Sequence, residues 1–350
     1  MRFVISKAQL VFCIALLSAF SFAQGPTAAS TTAGITFTKV DVPGAISTAP
    51  TGISNSGTIV GQVQDASGVF HGFLADQNGV VIGTFDFPGA ARTLPNGINE
   101  KGDIVGSYAN EDGIPHGFIL RNGSFKTSDF PGAAATIPLD INDYGVVAGI
   151  YDDAQLFSHG YILDQTGFHT IDDPAQGSLP STELFAINSK GDILGDFAPD
   201  LFGEFHGAFL LSHGEFLPFT VPGATQGIFA MGLSDSDDIA GSFVGDDFVQ
   251  HGFLERQGEV ISFDFPGSLA TAPLQINTSR HIVGIYADQA VNTRGFLITF
   301  DGKGSTSTGV DAASSILGPA VSSDRLTVCG SVQATSSIGI GAVQKQICRQ

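Results

Sequence analysis

A chain of 350 residues with 45 Gly, 16 Pro and only 14% charged residues favours many short strands and turns over helices. Its net charge of −19 disfavours a nucleic-acid partner, whose phosphates call for a basic surface, and disfavours an anionic membrane surface for the same reason. With 29 Phe and no Trp, Phe has to supply most of the bulky packing.

The N-terminus has the pattern of a secretory signal. Arg2 and Lys7 form a basic stretch, residues 8–20 are apolar but too short for a typical membrane span, and Ser21-Phe22-Ala23 offers small residues for cleavage after Ala23. Residues 1–23 are therefore expected to be a signal peptide, 24–33 a short flexible linker and 34–350 a single domain. The expected location is secreted, whether extracellular, periplasmic or at the cell surface. Cys13 falls in the segment to be removed, and no later segment is long and apolar enough to span a membrane.

A strand-like segment, FTKVDVPG (37–44), comes first and is followed by seven copies of one frame. The frame is Asn or Ser, then Gly seven residues on, then His about ten residues further. The copies are Ser54–Gly61–His71, Asn99–Gly106–His116, Asn142–Gly149–His159, Asn188–Gly195–His206, Ser234–Gly241–His251, Asn277–Gly284–Arg294 and Ser323–Gly330–Ile340. Their first positions lie 43–46 residues apart. A period of this length signals a repeat architecture.

Each copy divides into four short strands, A to D. In the second, strand A ends in GIN (97–99), strand B is DIVGSY (103–108), strand C is HGFIL (116–120), and strand D runs to Pro131-Gly132. Asn122-Gly123 is hairpin chemistry between C and D, since both residues accept a positive φ. A repeated four-stranded antiparallel meander predicts an all-β, seven-bladed β-propeller. One blade has two apolar faces and can bury them only against its neighbours; a solenoid would instead need capping repeats at its ends. The last repeat lacks a D strand, so the N-terminal strand is expected to complete the final blade and close the ring. Which strand is innermost stays open. Cys329 and Cys348 are expected to pair in an oxidising compartment and to fasten that last blade.

The HGF motifs (His71 to Leu74, His116 to Phe118, His251 to Leu254), with the GIN…G…VG frame before them, resemble the HAF family of extracellular repeats found in exported bacterial proteins. The resemblance covers residues 37–305, with a weaker copy to the C-terminus. It implies an architecture and carries no catalytic motif; Arg294 and Ile340 depart from it where His would stand.

In such a meander the B–C and D–A connections share one face and the A–B and C–D turns the other. The B–C loops vary most and carry acids, of which Asp65, Asp112, Asp152, Asp153, Asp200, Asp246, Asp247 and Asp288 are the candidate ligand-binding residues. Solvated loop acids are the plain reading; a ring of carboxylates for Ca²⁺ or a cationic partner is the sharper one. No cofactor is required by any motif. His71, His116, His159, His206 and His251, with Asn99, Asn142, Asn188 and Asn277, are taken as structural repeat positions, the His through a bond to a neighbouring strand's backbone. No G-x-S-x-G, H-E-x-x-H, C-x-x-C or phosphate-binding loop is present. The expected role is a monomeric binding or scaffold module for an extracellular protein or glycan, acting through the acidic face. The alternatives are a hydrolase or lyase on an extracellular polymer, with a site assembled from several blades, and a purely structural array.

Overall fold

The computed structural model describes residues 34–174, 181–197 and 207–300. Among them, strands form six four-stranded antiparallel sheets. The first strand, β1 (Ile35–Val40), stands ahead of the repeats. Blade 1 holds β2 (Ser47–Ile53), β3 (Ile59–Gln64), β4 (Phe70–Ala75) and β5 (Val81–Phe85). Blade 2 holds β6 (Arg92–Ile98), β7 (Ile104–Ala109), β8 (Pro115–Arg121) and β9 (Ser124–Thr127). Blade 3 holds β10 (Ala135–Ile141), β11 (Val147–Asp152), β12 (Ser158–Asp164) and β13 (Gly167–Ile171). Blade 4 holds β14 (Thr182–Ile187), β15 (Ile193–Phe197), β16 (Gly207–Ser212) and β17 (Glu215–Pro218). Blade 5 holds β18 (Gly227–Leu233), β19 (Ile239–Val244), β20 (Gln250–Arg256) and β21 (Glu259–Phe263). Blade 6 holds β22 (Ala270–Ile276), β23 (Ile282–Ala287) and β24 (Thr293–Phe300), and takes β1 as its fourth strand.

Strand A is the innermost strand of every blade. It is a sheet edge, which is where Pro50, Pro95, Pro138 and Pro273 can sit without removing a ladder hydrogen bond. Each innermost strand also carries a β-bulge at one equivalent place, between Pro50 and Gly52 in blade 1 and between Pro138 and Asp140 in blade 3.

The Gly of the repeat frame has a packing cause. Gly61 of β3 faces Phe73 of β4 across the ladder, and a Cβ there would collide with the Ala49 carbonyl and the Phe73 ring. Each aromatic of strand C lies over the Gly of strand B in this way: Phe73, Phe118, Tyr161, Phe209, Phe253 and Phe296 are all buried. They fill the space between blades, and truncating one to Ala costs about 3–5 kcal/mol.

The seven-bladed expectation is corrected to six. β1 pairs with β24 of the sixth repeat, from Ile35 opposite Phe300 to Val40 opposite Gly295. Blade 6 then meets blade 1 directly: Asn277 Nδ2 donates to the Ser54 carbonyl at 2.9 Å, and Thr278 N to Asn55 Oδ1 at 3.1 Å. A seventh blade would have to enter where these bonds join the two. The N-terminal strand closes the ring as expected, but one repeat earlier. The seventh copy (Ser323, Gly330, Ile340), the Cys329–Cys348 pair, the signal segment 1–23 and the linker 24–33 lie outside the described residues.

Candidate functional site: two faces of a closed ring

On the A–B face, the frame's Asn is an inter-blade clamp. Asn99 Oδ1 accepts from the N–H groups of Lys101 and Asp103 and so shapes its own turn. Its Nδ2 donates to the Asn142 carbonyl of the next blade at 3.1 Å. Asn142 does the same to the Asn188 carbonyl at 3.0 Å. In blades 1 and 5 the position is Ser54 and Ser234. Their hydroxyls accept the turn N–H groups, but a serine is too short to reach the next blade.

The turn residues that follow add further bonds between blades. Ser56 N donates to Glu100 Oε2 at 2.7 Å, Glu100 N to Asp143 Oδ1 at 2.8 Å, and Ser189 N to Asp235 Oδ1 at 2.6 Å. Asn55 reaches from blade 1 to two alternate blades, its Nδ2 donating to Asp143 Oδ2 at 3.2 Å and Asp235 Oδ2 at 3.1 Å.

Below these bonds the channel is bridged. Two residues before the frame's Asn or Ser stand Gly52, Gly97, Ala186 and Gly232 in blades 1, 2, 4 and 5, but Asp140 and Gln275 in blades 3 and 6. Gln275 Nε2 donates to Asp140 Oδ2 at 3.1 Å, and the N–H groups of Ile187 and Ile141 donate to the same carboxylate. A Cβ on Gly97 would come within 2.8 Å of Asp140, and one on Gly232 within 2.8 Å of Gln275, so the small residues make room for the bridge. Burial pushes the Asp140 carboxyl up to about 6, against those three donors. The cavity at this mouth measures about 40 Å³, room for a few water molecules, and its lining holds carboxylates, amides and hydroxyls but no His, Lys or Arg.

The B–C and D–A face carries the acids singled out from the sequence, and it distributes them rather than gathering them. Asp65 accepts from Ser67 Oγ and from the N–H groups of Val69 and Ser67; these donors hold it down at about 2. Slight desolvation opposes the same effect at Asp288, but donors from Asn292, Arg294 and Ala290 bring it to about 2. Asp153 accepts from the N–H groups of Gln155 and Phe157, and Asp112 from that of Ile114. Asp246 accepts from Thr225 Oγ1 at 2.7 Å. Asp152 is buried, bonded by Ser158 Oγ, and shifted upward by desolvation. Among the described residues, the B–C loops of blades 1, 2, 3, 5 and 6 are each braced by their own carboxylate. Among the described residues no group of three or more His, Cys, Asp or Glu is arranged to hold a metal ion. Asp200 and His206 lie outside the described residues.

The repeated His do bond within the blade, but to carboxylates rather than to backbone. Nδ1 of His71, His116, His159 and His251 lies 2.9–3.0 Å from Asp86, Asp129, Asp172 and Asp264 at the end of strand D. His251 Nε2 also meets Asp247 at 2.9 Å. The bond to Asp264 and the Asp247 contact outweigh partial burial and lift His251 to about 9. The ring of His116 stacks on Tyr108, which stacks on Phe87 at 3.6 Å; Phe130, Tyr151 and His159 repeat the arrangement. Where the sixth copy has Arg294, its Nε meets Asp288 Oδ2 at 3.2 Å. Asp86, Asp129, Asp172 and Asp264 were missed from the sequence, although the Asp-Phe-Pro-Gly and Asp-Asp-Pro segments that hold them recur after each HGF or HGY.

No protein-family model matches the sequence, and no curated protein matches it. Among solved structures the chain is similar to the β-propeller domain of the Trilobed protease from Pyrococcus furiosus, at 10% identity over 73% of this chain and 96% of that one, with a TM-score of 0.46. It is similar to TolB from Acinetobacter baumannii at 15% identity, over 70% of this chain and 64% of that one, with a TM-score of 0.49. It is similar to the Aleuria aurantia lectin at 12% identity, over 78% of this chain and 93% of that one, with a TM-score of 0.45. The propeller assignment rests on the strand pairing and ring closure described above.

Proposed function

We propose that this chain is an exported propeller of the HAF-repeat kind that works as a binding or scaffold module through its B–C and D–A face. The observation that carries the reading is the division of labour between the two faces. The A–B turns of blades 2, 3 and 6 are tied to the next blade through Asn99, Asn142 and Asn277. The B–C loops of blades 1, 3 and 6 are braced internally, by Asp65, Asp153 and Asp288, and the B–C loops differ in sequence from blade to blade. Variable loops standing on a rigid frame suit recognition. A hydrolase or lyase would want an acid and a base converging on the channel; the Asp140–Gln275 bridge occupies that place, and among the described residues no basic side chain lines the cavity there.

The test is binding to a panel of extracellular polysaccharides and envelope proteins, measured by biolayer interferometry. Wild type is compared with Asp153→Lys/Asp288→Lys on one face and Lys101→Glu/Arg256→Glu on the other. A partner lost only by the first pair supports the reading. A partner lost only by the second, or turnover of any panel polymer, overturns it.

A further inference from the structure

The B–C loops share one turn, and its fourth residue takes a positive φ in every described case. The residues there are Gly68, Gly113, Leu156, Phe248 and Val291, at φ of 89°, 76°, 64°, 59° and 63°. Glycine meets that requirement without strain in blades 1 and 2. Leu156 and the β-branched Val291 meet it at a conformational cost. Neither gains burial in return, for Leu156 is 52% exposed and Val291 48%. In the loops that use glycine, the following residue is a large exposed aliphatic instead, Val69 or Ile114, the latter 45% exposed. Blades 6, 1, 2 and 3 follow one another around the ring, so Val291, Val69, Ile114 and Leu156 form an arc of apolar loop tips on one face. Ile46, in the D–A link that enters blade 1, adds a further exposed aliphatic to it.

Between these tips stand Asp65, Glu111, Asp112, Asp153 and Asp288. The cations on this arc are engaged within the chain: Arg92 Nη2 donates to the Gly113 carbonyl, and Arg294 pairs with Asp288. Lys101, Lys190 and Arg280 lie in turns of the opposite face, and Arg121 and Arg256 end the strands that lead into its C–D turns. An apolar arc set in negative charge is complementary to one kind of surface.

We infer that this arc docks a protein segment presenting apolar side chains between lysines or arginines. Apolar tips would supply the desolvated centre of such an interface, and the loop acids its charged rim and its orientation. Strain held at Leu156 and Val291 is then the cost of keeping apolar contact groups on rigid turns. This inference rests on the binding role proposed above and names its partner.

The test uses the full purified chain and three synthetic peptides of equal length, alternating Leu-Lys, Ser-Lys and Leu-Glu, with binding followed by calorimetry. The Leu-Lys peptide is expected to bind wild type, the other two at least about tenfold more weakly. Leu156→Gly/Val291→Gly relieves the positive-φ strain; it should melt at or above the wild-type temperature yet bind Leu-Lys at least about tenfold more weakly. Retention of stability distinguishes lost contact from lost fold. Undiminished binding by the glycine variant, equal binding of Ser-Lys, or no binding of Leu-Lys overturns the inference. If a panel partner still maps to the Asp153/Asp288 face in any of those cases, only the partner chemistry falls and the binding role stands.

Discussion

Asp140 and Gln275, 135 residues apart in sequence, meet at 3.1 Å across the channel and join opposite blades of the ring. The Asp140 carboxylate also accepts the backbone N–H groups of Ile187 and Ile141, so its removal would strand three buried donors. Asp140→Ala is expected to cost at least about 3 kcal/mol, at roughly one to three for each of the three donors left without an acceptor. Urea denaturation measures it, and Gln275→Ala in the same background should add little, because the pair acts as one unit.

The same carboxyl sets a pH dependence. Its folded value, about 6, lies above the unfolded 3.8. A raised value means that this group's contribution is fully present below the unfolded value and lost as pH rises through the folded one. The stability difference between wild type and Asp140→Ala should therefore widen as pH falls from about 7 to about 4. A difference that narrows over that window contradicts the assignment.

Ser234 occupies a clamp position without the reach to clamp. Ser234→Asn should add the missing bond to blade 6 and raise stability by about 0.5–1.5 kcal/mol. Asn142→Ser, which removes the bond to the Asn188 carbonyl, should lower it by a similar amount. Thermal melts of the two variants are expected to move in opposite directions.

His251, lifted to about 9 by Asp264 and Asp247, stands above the unfolded 6.5. Its stabilisation is complete below about 6.5 and disappears as pH rises through about 9. His251→Gln should cost about 1 kcal/mol at pH 6, after discounting for the solvent around the pair, and almost nothing at pH 10. Melts across that range read the window directly.

Asp65 has a different signature, because its carboxylate closes its own loop. Asp65→Ala should leave global stability nearly unchanged while speeding hydrogen exchange at the Ser67 and Val69 amides, whose acceptor it removes. Lowering the pH toward 2 should have the same local effect in the wild type, since a carboxylate held low loses its contribution as pH falls through its folded value.

Much of the fold was legible in the sequence because its signals are local. Asn99, Gly106 and Phe118 repeat at fixed spacing, and each has one physical duty: to tie a turn, to pass under a ring, to fill the gap between blades. The four-strand meander and the role of the N-terminal strand followed from them. The number of blades did not, because a seventh copy with a Ser–Gly frame satisfies the same local pattern, whereas closure is decided by β1 against β24. The candidate site was half legible. The acidic loops were found, but their carboxylates proved to be loop braces and histidine partners. Asp140 and Gln275 escaped notice because they break the repeat at positions where other blades carry Gly or Ala, and only the ring brings them together. Leu156 and Val291 escaped because exposure and a positive φ are not readable from an aliphatic letter.

The ring closes with six blades, the N-terminal strand completing the sixth. Thr36 of β1 lies directly opposite Thr299 of β24. In the full chain, with Cys13, Cys329 and Cys348 replaced by Ser, Thr36→Cys/Thr299→Cys should form an intramolecular disulfide under mild oxidation, read by peptide mapping, with a monomer retained. Absence of that link, with Thr36→Cys reacting instead with a cysteine placed in the 323–348 repeat, would put β1 in a seventh blade and contradict the six-bladed ring.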